Sequence, residues 1–352
     1  MLHAGIYYSA NTHKASFCLK GNQLWKSFCK THNIPVLETG KVLVARNKKD
    51  LEQLHIIYDR ATQNGATVSW LNQNDLNQKE PLAKTYQKAL WVKDTASVDS
   101  QKILTKLTEL ISKNAVQIKL NTAFKKKLSD TCISTTTGIQ HFDILINCTG
   151  AYSDKIAHQF GLGLNYRLIP FKGIYYLLSN TLSESIHSHI YPVPNLKNPF
   201  LGIHFTKSIT GAVYLGPTAI PAFGPENYTI TDGLLNKDIA SILYADSILF
   251  LKNNKFRSAA LTEPKYYIKY FFYKKAAELV KTLNIRDITP STKVGIRPQL
   301  VNWKTKELVM DFLIEKGPTS IHILNAISPA FTSAPAFANY IRTKILKEFN
   351  LN

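Results

Sequence analysis

Apolar positions fall at helical spacing over residues 12 to 31, where Phe17, Leu24, Trp25, Phe28 and Cys29 predict a buried amphipathic helix. Residues 40 to 45 read as a strand. A helix from about Asp50 to Ala61 follows, with Leu51, Leu54, Ile57 and Tyr58 on one face and Gly65 to end it. Asp99 and Ser100 form a polar cap ahead of Ile103, Leu104, Leu107 and Leu110, so a further helix starts there. Short strands are then expected at residues 116 to 120, 124 to 128, 132 to 136 and 142 to 148. The last reads as a continuous apolar run that stops at Thr149-Gly150 and gives way to a helix near Tyr152. A fully buried strand feeding a tight turn and a helix is the local pattern of a doubly wound sheet.

From about residue 161 to 290 the pattern changes. Aromatic-rich strands at 169 to 178, 200 to 206 and 211 to 215, then two helical stretches, predict an inserted, mainly antiparallel layer. The end returns to the first style, with strands at 293 to 301 and 308 to 315, a buried strand at 321 to 326, and Ser328-Pro329 opening a final helix. The expected fold class is α/β, α+β overall.

Composition bounds this picture. A chain of 352 residues, 45% hydrophobic, can bury a substantial core in two domains or one large one. Its apolar runs are far shorter than the roughly 20 residues a bilayer span needs, and no signal-peptide pattern opens it. The expectation is a soluble, cytoplasmic protein. Cys18, Cys29, Cys132 and Cys148 lack metal-ligand spacing and read as reduced, mostly buried thiols. The net charge of +19 comes mostly from lysine spread along the chain, with few arginines, which argues against nucleic acid and leaves steering of an anionic ligand or membrane open.

The strongest local signal is residues 143 to 154, Asp-Ile-Leu-Ile-Asn-Cys-Thr-Gly-Ala-Tyr-Ser-Asp, where small residues let the backbone approach a cofactor and a helix start offers N–H groups to an anion. With it stand His3-Ala4-Gly5-Ile6-Tyr7-Tyr8, Leu168-Ile169-Pro170-Phe171-Lys172-Gly173, Ile190-Tyr191-Pro192-Val193-Pro194, Leu201-Gly202-Ile203-His204-Phe205-Thr206, Tyr214-Leu215-Gly216-Pro217, Gly295-Ile296-Arg297 and the run from Asn325 to Ser333. In this order, over essentially the whole chain, they resemble the L-2-hydroxyglutarate oxidase/dehydrogenase branch of the D-amino-acid-oxidase-like flavoproteins. The chain departs from that branch in having no Gly-x-Gly-x-x-Gly turn for a pyrophosphate, which relatives carry in an upstream unit of about 30 residues.

The resemblance implies FAD as cofactor and a truncated Rossmann-like FAD-binding domain from 1-32, 93-160 and 291-352, with a substrate-binding domain from 33-92 and 161-290. It places His3, Ala4 and Gly5 beside the isoalloxazine, Phe124 at the adenine, and Thr149 and Gly150 at the adenosine half. Ser328, Ala330, Phe331 and Thr332 would bring the start of the last helix to the flavin, where N–H groups stabilise the charge left by hydride arrival. For a 2-hydroxy acid substrate, it implies Arg297 as the carboxylate ligand, His204 as the base, Lys172 as a second cation and Tyr7, with Tyr175 and Tyr191, as pocket lining. Relatives have arginine, a small residue and an acidic residue where Lys172-Gly173-Ile174 stands. Electrons would pass to oxygen, or to a quinone or other electron-transfer partner through peripheral contact with the inner membrane. Two other readings stay open: a related amine or glycerol-phosphate flavoenzyme, and a non-catalytic remnant or subunit that needs a separate FAD-binding fragment.

Overall fold

The computed structural model describes residues 1–194, 201–229, 232 and 239–351. A ten-stranded sheet dominates it. Its order is Glu307–Leu308, Ile288–Asn302, Tyr166–Leu178, Val213–Gly216, His204–Lys207, His189–Pro192, Lys41–Val44, Ala89–Val92 and Val68–Leu71, and Ile220–Pro221 pairs beside Tyr166–Leu178. Every pairing is antiparallel except that of His189–Pro192 with Lys41–Val44.

Side-chain alternation along Lys41–Val44 explains why this sheet has two cores. Val42 and Val44 join Phe205, Leu215, Phe272 and Ala276 on one face. Leu43 and Ala45 pack on the other against Leu54, Ile57 and Ala61 of the helix Lys48–Gln63. The long antiparallel ladder between Tyr166–Leu178 and Ile288–Asn302 sets Phe171 opposite Arg297 and Gly173 opposite Gly295. That strand runs unbroken across residue 291, where sequence drew a domain boundary.

The opening helix, His13–Thr31, lies against the final helix, Ala330–Glu348. Phe17, Phe312 and Phe337 fill the seam. Gly21 permits the close approach, because a Cβ there would sit 2.1 Å from the carbonyl oxygen of Thr332. Gly21→Ala is therefore expected to lower stability by about 1–3 kcal/mol, read as a lower urea midpoint at unchanged m-value.

Two expectations fail at one place. Residues 116 to 119 form no strand, and Val116, Ile118 and Leu120 are exposed. The expected fully buried strand at 142 to 148 is only Leu145–Asn147; Ile146 is 46% exposed and Cys148 is the one exposed cysteine. Both have the same cause. Leu145–Asn147 pairs in parallel with Ser320–Ile323 on one edge, and among the described residues no strand covers its other edge. A parallel strand needs neighbours on both sides and cover on both faces to be buried. The helix Ser100–Ser112 shares the condition: it has an apolar stripe, yet only Ile103 is buried and Leu104 is 50% exposed.

Other differences are of extent. Residues 308 to 315 hold two short strands, Glu307–Leu308 and Ile314–Lys316. Three helices, Ile239–Lys252, Asn254–Thr262 and Lys269–Ala277, stand where two were expected. The expected strand at 200 to 206 begins outside the described residues and is seen as His204–Lys207. No helix among the described residues is long and apolar enough to cross a membrane.

Candidate active site

A cleft of about 520 Å³ opens where the large sheet meets the start of the final helix. Alternate residues of Ile288–Asn302 bring Lys293, Gly295 and Arg297 to its wall, and alternate residues of the neighbouring strand bring Phe171, Gly173 and Tyr175. Gly295 leaves open ground beside these side chains, whereas at Gly173 a Cβ would stand 2.6 Å from that of Pro217, so this glycine lets the Pro217 ring pack against the strand. Tyr214 of Val213–Gly216 and then His204 and Thr206 of His204–Lys207 continue the wall, and His3 also lines the cleft.

His204 is buried and stacked on Tyr191, with ring centroids 3.9 Å apart. Its Nδ1 lies 2.8 Å from the carbonyl oxygen of Gly202. A carbonyl only accepts, so Nδ1 carries the hydrogen and Nε2 holds the basic lone pair. Burial, followed by the charges of Lys41 and Arg297, brings the imidazole down to about 3 despite the Gly202 bond, so it is neutral across the physiological range. His3 and His189 are likewise held well below the usual histidine range, first by burial and then by Lys41.

Lys41 is the hub of this group and was not singled out in the sequence. It is fully buried, its Nζ lies 3.3 Å from the Tyr7 hydroxyl, and it faces the rings of Tyr7 and Tyr191 at 4.8 and 4.9 Å. Burial lowers it to about 7. The available signal was a lysine heading the apolar run Lys41-Val42-Leu43-Val44-Ala45, which is a poor place for a cation without a task. Lys293, also missed, lies over the rings of Tyr175 and Tyr214. Burial lowers both it and Arg297. Among the described residues Glu263 is the single carboxylate on the cleft wall, so the space favours anions.

The neutral histidines carry a stability consequence. His204 titrates near 6.5 in an unfolded chain and at about 3 when folded. Between those values the unfolded chain binds more protons, so stability is complete above 6.5 and falls as pH falls through the window. Going from pH 7 to pH 5 is expected to cost about 2 kcal/mol through His204 alone. His3 and His189 add in the same direction, and urea midpoints measured at the two pH values check the sum.

The sequence candidates divide. His3, His204, Arg297, Ser328, Ala330, Phe331 and Thr332 share the cleft. The His3 N–H bonds to Thr332 Oγ1 at 3.2 Å, and Trp25 Nε1 donates to the Phe331 carbonyl at 2.6 Å, which pins the helix start to the opening residues. Lys172 does not join them: it alternates with Phe171 and Gly173, points to the other face, and donates to the Thr229 carbonyl at 2.9 Å. Tyr7 does not line the cleft: it packs in the core with Ala4 and lines the cavity that adjoins the cleft. Gly5 turns with φ 71° beside Cys18. Phe124, Thr149 and Gly150 lie outside the cleft; Thr149 bonds to Asn147 Oδ1, and the space beside Gly150 is empty.

The final helix begins at Ala330 with no side-chain cap, so the first-turn amides at the cleft have no acceptor in their own helix. Ser333 Oγ is fully buried without a hydrogen-bond partner among the described residues. Unpaired donors at a helix start beside an apolar cleft suit a flat, electron-rich ring with an anionic edge. A dinucleotide pyrophosphate has no glycine-rich turn to meet in this sequence.

This is the architecture of a flavin-dependent oxidoreductase, and the comparisons agree. The family model described as FAD dependent oxidoreductase matches residues 1–343, and the chain belongs to that family. It is 30% identical over 349 residues to the L-2-hydroxyglutarate dehydrogenase of Escherichia coli, covering 98% of this chain and 82% of that protein. It is 27% identical over 372 residues to the mitochondrial L-2-hydroxyglutarate dehydrogenase of Homo sapiens, covering 100% of this chain and 80% of that protein. Among solved structures, the FAD-bound L-alpha-glycerophosphate oxidase of Mycoplasma pneumoniae superposes with a TM-score of 0.71 at 20% identity, over 96% of this chain and 81% of that one. Glycine oxidase from Geobacillus kaustophilus gives 0.68 at 13% identity, over 97% and 81%. At these identities the structures speak for the fold.

Proposed function

We propose that this chain oxidises L-2-hydroxyglutarate to 2-oxoglutarate. The observation that carries the reading is a neutral, tautomer-fixed histidine in a cleft whose other ionisable walls are mainly cations, in a chain 30% identical to a dehydrogenase of that acid. Arg297 is well suited to hold the carboxylate next to the reacting carbon, since its planar fork matches two oxygens. Nε2 of His204 would take the proton of the substrate hydroxyl. Lys293 would add positive potential at the mouth.

Bound FAD supplies the two-electron acceptor. His3 and the stretch Ser328 to Thr332 are the residues suited to its ring, with Ala4 and Gly5 shaping the wall behind. Phe124, Thr149 and Gly150 are assigned to the adenosine half by resemblance alone. The division into an FAD-binding part and a substrate-binding part belongs to the same reading, as does passage of electrons to oxygen or a membrane quinone.

The test is reduction of an artificial acceptor by purified protein with added FAD. L-2-Hydroxyglutarate should drive it, while the D-enantiomer, glycerol 3-phosphate and glycine should not. Turnover of glycerol 3-phosphate or glycine in preference would overturn the reading.

A further inference from the structure

A second cavity, of about 290 Å³, adjoins the cleft and shares Arg297, Leu201, Ile327 and Ser328 with it. Among the described residues its walls hold three cationic side chains, Lys14, Arg60 and Arg297, against one carboxylate, Asp311. That carboxylate is already engaged by the backbone N–H groups of His13, Lys14 and Phe312. Arg60 is occupied in part by the Tyr7 carbonyl. Lys14 differs from both. It is 5% exposed, yet its Nζ makes no hydrogen bond or salt bridge among the described residues and rests only over the Tyr8 ring at 5.7 Å.

A buried ammonium with no direct ion-pair contact is costly, and a neighbouring guanidinium makes it more so. Burial, followed by the charge of Arg297, lowers Lys14 to about 8 even with Asp311 nearby. A dianion with one carboxylate at Lys14 and the other at Arg297 offsets the burial of the ammonium and its repulsion by the guanidinium together.

We propose that this cavity seats the distal carboxylate of a dicarboxylic hydroxy acid, with Lys14 as its direct partner, while Arg297 at the junction holds the carboxylate beside the reacting carbon. The inference rests on the 2-hydroxy-acid reading above and adds to it the residue that selects diacids over monoacids. The two cavities then form one site, with the chemistry at His204 and the recognition of the far end at Lys14.

Calorimetric titration of the purified chain with glutarate and with pentanoate tests it. The two acids share a carbon chain and differ by one carboxylate, and neither carries the hydroxyl that would be oxidised. Glutarate should bind the unaltered chain about ten-fold tighter or more, the worth of one charge-assisted contact. Lys14→Met should abolish that preference while leaving pentanoate within about two-fold, and Lys14→Arg should restore most of it. Equal affinities in the unaltered chain, no binding of either acid, or an unchanged preference in Lys14→Met would each overturn the proposal. If Lys14→Met fails to fold, as seen by circular dichroism, Lys14→Gln carries the comparison. Failure of the catalytic reading shows separately: a Lys14-dependent diacid preference without turnover leaves a dicarboxylate site standing, and turnover without that preference removes Lys14 only.

Discussion

Arg297→Met is expected to lower kcat/KM for L-2-hydroxyglutarate about a thousand-fold. Two charge-assisted hydrogen bonds from one guanidinium, each worth about 1.5–3 kcal/mol, amount to roughly 4 kcal/mol, and every 1.4 kcal/mol is a factor of ten. Because the carboxylate is gripped alike before and during the reaction, much of the loss should enter through KM. Arg297→Lys keeps the charge but loses the fork, so it should recover only about a tenth of the activity. The position tolerates the change structurally: the strand Ile288–Asn302 is held by its backbone ladder to Tyr166–Leu178, which no side chain at 297 supplies. Steady-state kinetics beside a thermal melt decide the matter. A variant within ten-fold of the parent at equal melting temperature would remove Arg297 from the substrate site.

Arg297 was legible in the sequence because Gly295-Ile296-Arg297 is a local run carried by the resemblance. Lys172 was misplaced for a reason of register. In a strand, neighbours point to opposite faces, and sequence did not say whether Lys172 or Gly173 faced the cleft; the pairing of Gly173 with Gly295 decides it. Lys41 was passed over although a lysine heading an apolar run was a signal, and Lys14 reads as an ordinary helix residue; only tertiary packing shows both buried. The helix His13–Thr31 was found almost to the residue and Lys48–Gln63 as its central part, about Asp50 to Ala61, because apolar spacing acts within a turn or two. Residues 116 to 120 mark the opposite limit. Val116, Ile118 and Leu120 alternate as a strand should, but a strand is a relation between segments, and among the described residues that edge has no partner. The exposed face of Leu104, Ile118, Leu120 and Ile146 is the physical trace of the same fact.

His204→Gln tests the chemistry rather than the grip. Removing a positioned base costs about 10²–10⁴-fold in rate, and here the loss should fall on kcat with KM nearly unchanged, since Arg297 and the cationic wall remain. Glutamine has no basic nitrogen to receive a proton, and its amide stands where Nε2 does rather than Nδ1, so a thermal melt beside the kinetics checks that losing the Gly202 bond leaves the fold intact. The pH profile separates this role from a structural one. With the imidazole at about 3 when folded, protonation of His204 cannot limit the parent above about pH 4. The site groups that change charge nearer neutrality are Lys41, lowered to about 7, and Lys14, lowered to about 8. Between about pH 8 and pH 6 the rate should therefore follow these lysines, while circular dichroism reports unfolding separately. A fall in kcat/KM near pH 6 that persists in a folded Lys41→Met variant would mean that a group other than His204 is the base.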